Sequence, residues 1–240
     1  MMPLLSTVTL TGIAFGIALL AGRIDRRIAL SGAVLFAFAL AVDDMATTLP
    51  RWLPTALQLP GHWNWGGKVA SLVSTVLLAL LLRRTPGALG LAFPPHRPRV
   101  TWAAVAVLTA VSASLGFVFR PAPPSIETIA FQLTMPALAE ELVFRGLAPA
   151  LLLGMRTRTD EPTSTPWSVV LVTAIAFGAW HMIGVRAGHL TIDVGEGVIP
   201  LIGGVAYGWL RFASGTVILP MIAHALGNTA FLLGSLRHGS

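Results

Sequence analysis

Apolar residues along this chain come in long blocks, and the polar positions gather between the blocks instead of alternating within them. Blocks of that length fit helices crossing a hydrocarbon core of about 30 Å, which takes roughly 20 residues. The pattern predicts spans near 4–22, 28–42, 68–82, 101–119, 127–153, 167–183, 198–212 and 216–234. The predicted fold class is all-α, a polytopic membrane helix bundle of about eight transmembrane helices. The blocks at 28–42, 68–82 and 198–212 are short, so they extend into their flanks, tilt little, or in one case form a re-entrant segment. The first block follows Met1-Met2-Pro3 without a basic stretch and reads as a span, not a cleaved leader.

Turn and interface segments fall at 23–27, 51–68, 83–99, 120–125, 156–166 and 185–197. Trp52, Trp63, Trp65, Trp102 and Trp167 sit near block ends, as an aromatic belt does. Gly12-x-x-x-Gly16 and Gly204-x-x-x-Gly208 are expected to let helices approach closely. Asp43-Asp44, Asp160-Glu161, His62, His96, His189 and His238 fall at loop or tail positions and read as solvated or at headgroup level. Two regions are expected: 1–124, an N-terminal membrane region of about four helices, and 125–236, a second group of about four that holds the chemistry.

Composition sharpens this picture. With 55% hydrophobic and 11% charged residues, the chain lacks the polar surface of a soluble domain, which implies an integral, multi-pass protein of the cell membrane. The absence of cysteine excludes disulfides, thiolate zinc sites and a cysteine nucleophile. The net charge of +6 comes from basic residues scattered at block ends, which suits lipid headgroups and not nucleic acid. Over alternating loops the Lys and Arg count is ten against five, with Arg211 in the larger set and Lys68 in the smaller, and this puts the N-terminus outside the cytoplasm.

Glu140 and Glu141 interrupt an otherwise apolar block, and carboxylates there are expensive unless something uses them. Glu141 and Arg145, four apart, share a helix face and can pair, while Glu140 points elsewhere and is left for another partner, a water or a substrate. That makes Glu140 the candidate general base. Phe177 and His181 share a face of the sixth span, as do His224 and Asn228 on the eighth. Three helices thus bring polar groups inward, a pattern that marks a functional site. No Gly-x-Ser-x-Gly elbow is present, and backbone bonding within the helices accounts for most Ser and Thr.

Glu-Glu-x-x-x-Arg at 140–145, Phe-x-x-x-His at 177–181 and His-x-x-x-Asn at 224–228 occur in an order and spacing that resembles the type II CAAX prenyl protease and bacteriocin-processing (abortive infection) family of intramembrane proteases. The likeness covers roughly 125–234. It implies a peptidase in which Glu140 activates water, His181 helps to hold or deprotonate that water, Glu141 and Arg145 support the site, and His224 and Asn228 stabilise the oxyanion. Phe144 and Phe177 are the expected substrate contacts, the partners are a peptide or protein substrate and membrane lipids, and no cofactor or metal is expected. A rival arrangement has His181, His224 and one glutamate binding zinc, although His-Glu-x-x-His is absent. Two further alternatives are a non-proteolytic scaffold or immunity protein of the same fold, and a transporter, for which the first half offers no intramembrane acid to match Glu140.

Overall fold

The computed structural model describes residues 2–54, 57–186 and 189–234, so His238 and Arg237 lie outside the described residues. The chain is mostly helical: α1 (Met2–Ile24), α2 (Leu30–Thr48), α3 (Trp65–Leu81), α4 (Pro98–Phe119), α5 (Ile126–Glu141), α6 (Ala148–Leu152), α7 (Trp167–Met182), α8 (Val194–Ser214) and α9 (Ile218–Leu233). A π-helical segment, Leu142–Leu147, joins α5 to α6, so the fifth predicted block is one continuous helical stretch. Among the described residues, three helices are long and apolar enough to cross a membrane, Leu4–Ile24, Leu30–Thr48 and Pro98–Phe119, and α3, α7 and α9 are shorter apolar helices. Large apolar side chains such as Val8, Leu20, Leu80, Val107, Val118 and Ile202 face outward, as the lipid-facing surface of an integral membrane protein does.

Local chemistry sets the helix ends. The side chain of Asn64 accepts from the Gly67 N–H at 3.0 Å to start α3, and Ser125 accepts from the Thr128 N–H at 3.1 Å to start α5. Asp193 caps α8 in the same way, and Gly215, at φ 67°, ends it in the left-handed conformation. Helix α1 packs on α2 and α7, α2 on α3, α3 on α5, α5 on α9, α4 on α9, and α7 on α8. The buried core joins the two halves: Ala14, Ala18 and Phe36 pack with Val143, Phe144, Ala148 and Phe177, and Ala39 and Ala79 with Leu142, Leu147 and Leu151. A polar tie adds to this, since Ser168 at the start of α7 donates to Asp25 at 2.5 Å. The Arg27 guanidinium, with Ser168, holds the Asp25 carboxyl well below the usual carboxylate range.

Several expectations are corrected. Asp43 and Asp44 are not loop residues: α2 continues past its apolar block to Thr48, and both carboxylates are buried. They face neighbours that carry hydroxyl and indole donors, so the first half does hold buried acids. Glu161 is not simply solvated, because Arg211, buried inside α8, donates to it at 2.6 Å. Lys68 likewise lies within α3 and is mostly buried, so neither Lys68 nor Arg211 belongs in a tally of loop charges. A Cβ on Gly12 or Gly16 would meet nothing within 4 Å, so that motif mediates no close approach among the described residues, whereas Gly204 sits against Ala174 of α7 as expected. The segment after His181 holds a short antiparallel hairpin, β1 (Ile183–Arg186) paired with β2 (His189–Ile192). Its β-branched residues favour strand, but the run is too short for a periodic signal.

Candidate active site

Glu140 and Glu141 close α5, and the backbone then widens into the π segment that carries Phe144 and Arg145. Single π turns inside helices recur at functional sites. Every residue from Glu141 to Leu152 is buried, so the charges here are compensated by one another and not by water.

Glu141 is fully buried and serves as a hub: its Oε1 accepts from Arg145 Nη1 at 3.2 Å and from His224 Nδ1 at 2.8 Å. The first contact is the pair expected from the spacing of four. The Arg145 guanidinium also lies 4.4 Å from the ring centroid of Phe177 and 5.8 Å from those of Phe144 and Tyr207, an aromatic cage for a cation. Phe144 and Phe177 meet edge to face at 5.0 Å and are both buried. Glu140 turns away from that hub, as helix geometry requires. It is not left to water alone, however: Lys68 Nζ donates to its Oε1 at 2.6 Å, and its Oε2 lies 4.0 Å from His224 Nε2.

His224 is held on both sides, by Glu141 at Nδ1 and by the ring of Tyr207 stacked 5.4 Å away. The bond to Glu141 fixes Nδ1 as the nitrogen facing the hub and turns Nε2 toward Glu140. His181, at the end of α7, is exposed; its Nδ1 bonds the Phe177 carbonyl at 2.8 Å, which leaves Nε2 open to water or a ligand. Asn228, one turn beyond His224 on α9, donates to Gln132 of α5 at 2.9 Å. Glu140, Glu141, Arg145 and His224 are therefore in one contact network. His181 joins through Phe177, whose ring centroid is 4.5 Å from its own, and Asn228 lies beside the network with its amide engaged.

Four participants were not legible as site residues. Lys68 stands at the polar edge of its block, where a cation usually means headgroups, although its place three residues before Ser71 puts both on one face. Tyr207, the chain's single tyrosine, and Gln132, eight residues before Glu140, were visible as rare polar groups in apolar blocks. Trp180 precedes His181; its Nε1 donates to Asp44 at 2.9 Å and its ring centroid lies 5.2 Å from Lys68 Nζ.

Among the described residues, no three His, Cys, Asp or Glu side chains are arranged to hold a metal ion. Lys68 and Arg145 lie against the carboxylates that a dication would need. Residues 121–230 match the family described as type II CAAX prenyl endopeptidase Rce1-like. No curated protein and no solved structure gives a significant match.

Proposed function

We propose, from the match of residues 121–230 to the type II CAAX prenyl endopeptidase Rce1-like family and from the site geometry, an intramembrane endopeptidase that hydrolyses a peptide bond with a glutamate-activated water. Glu140 Oε2 takes a proton from water, the resulting hydroxide adds to the scissile carbonyl, and the same proton passes to the leaving amine as the C–N bond breaks. His181 holds the water through its open Nε2. His224, donating from Nε2 in its protonated form, and Asn228 stabilise the oxyanion once a substrate displaces Gln132 from the Asn228 amide. Glu141 and Arg145 orient His224, and Phe144 and Phe177 form the apolar wall beside the substrate.

The supporting observation is the division of labour within the Glu140 carboxylate: one oxygen is taken by Lys68, and the other faces His224 Nε2 across 4.0 Å. The two cations against the glutamates favour this mechanism over a zinc peptidase. We also propose eight membrane spans in the cell membrane, with 125–236 as the catalytic region, a peptide or protein as substrate and no cofactor.

The test is cleavage of a peptide library by the purified full-length protein, with and without a zinc chelator. Cleavage that survives chelation and disappears in Glu140→Gln is the expected outcome. Full activity in Glu140→Gln sinks the mechanism, and loss to the chelator with recovery on adding zinc moves the histidines into a metal sphere. A Glu140→Gln protein that lacks cleavage yet still performs its role in cells points to a scaffold of the same fold.

A further inference from the structure

Lys68 comes from α3, outside the segment that matches the protease family, and it is mostly buried with its Nζ 2.6 Å from Glu140 Oε1. A buried ammonium is stable only while a carboxylate compensates it. During water activation Glu140 takes up a proton and stops being that carboxylate. The surroundings hold a second acidic group, Asp43 on α2, 1% exposed. Ser71, one turn after Lys68 on the same face, donates to one Asp43 oxygen, and the other, Oδ2, is buried without a hydrogen-bond partner. The Trp180 ring centroid lies 5.2 Å from the same ammonium, and that ring is fixed by its bond to Asp44.

We infer that Lys68 is a positioning residue for Glu140 and that Asp43 is its alternate counter-ion, so that the first half of the chain completes the active site. This rests on the protease reading above. Lys68 holds Oε1 and thereby turns Oε2 toward His224; when Oε2 carries the proton, the ammonium leans on Asp43 and stays in place. Lys68 itself neither gains nor loses a proton in the cycle.

The experiment has two arms on the full-length protein in detergent. The first, which needs no substrate, follows labelling of Glu140 by dicyclohexylcarbodiimide, a reagent for protonated carboxyls in apolar surroundings, with mass spectrometry as the readout. Wild type and Lys68→Arg are expected to label slowly and Lys68→Met severalfold faster; equal rates for wild type and Lys68→Met overturn the inference. Lys68→Gln, closer in shape and polarity, replaces Lys68→Met if the latter does not fold, with the same expectation. The second arm follows cleavage of the peptide library: Lys68→Met is expected to lower kcat roughly 10–100-fold, the scale for a misplaced reacting group, with KM little changed and most of kcat restored in Lys68→Arg. A loss confined to KM overturns the positioning role. Full cleavage by Glu140→Gln defeats the protease mechanism but leaves the labelling arm to decide the ion pair. A dead Glu140→Gln beside a Lys68→Met protein that behaves as wild type in both arms defeats this inference alone.

Discussion

Glu141 carries more of the site's architecture than its neighbour, because one of its oxygens accepts from both Arg145 and His224 with no water to replace either. Removing one partner of a buried ion pair leaves an uncompensated charge. Arg145→Met is therefore expected to lower stability by about 3–5 kcal/mol, read as a fall in the thermal midpoint of the purified protein, whether or not a substrate is present. A midpoint within error of wild type would show that His224 alone suffices for Glu141. The Glu141–Arg145 pair was legible in the sequence because it is local, four residues on one helix. Lys68 was not, because its partner lies 72 residues away and nothing local distinguishes an ammonium that snorkels to headgroups from one that turns inward.

At the level of elements, glycines separate true helix contacts from open faces. Gly116 of α4 lies so close to α9 that a Cβ there would stand 2.0 Å from the Phe231 carbonyl oxygen, while Gly12 of α1 faces open space. Gly116→Ala is expected to destabilise by about 1–3 kcal/mol through overpacking, whereas Gly12→Ala is neutral or gains up to about 1 kcal/mol of helix propensity. Thermal unfolding of the two variants side by side checks the contrast; equal effects would contradict the α4–α9 packing. The helical blocks were legible because their apolar runs are continuous and long, and most of the observed elements begin and end within a few residues of the expected blocks. What the block pattern missed lies at the edges: α2 runs past its apolar stretch to bury Asp43 and Asp44, and the hairpin after His181 is four residues per strand. The π turn was invisible too, since an apolar block reads the same through α and π geometry.

Across the whole molecule, the two halves share cores, and a cation from the first compensates a carboxylate of the second. A fragment carrying 121–240 alone is accordingly expected to lack cleavage activity, and co-expression with 1–120 is expected to restore it; full activity of the isolated fragment would show that the first half is dispensable. Trp180 stands at this seam, its indole N–H on the Asp44 carboxylate and its ring beside the Lys68 ammonium, both contributed by the other half. The molecule therefore contains its own optical gauge: indole emission responds to nearby charge, so in a variant whose other six tryptophans are replaced, the colour of Trp180 reports whether the halves are joined.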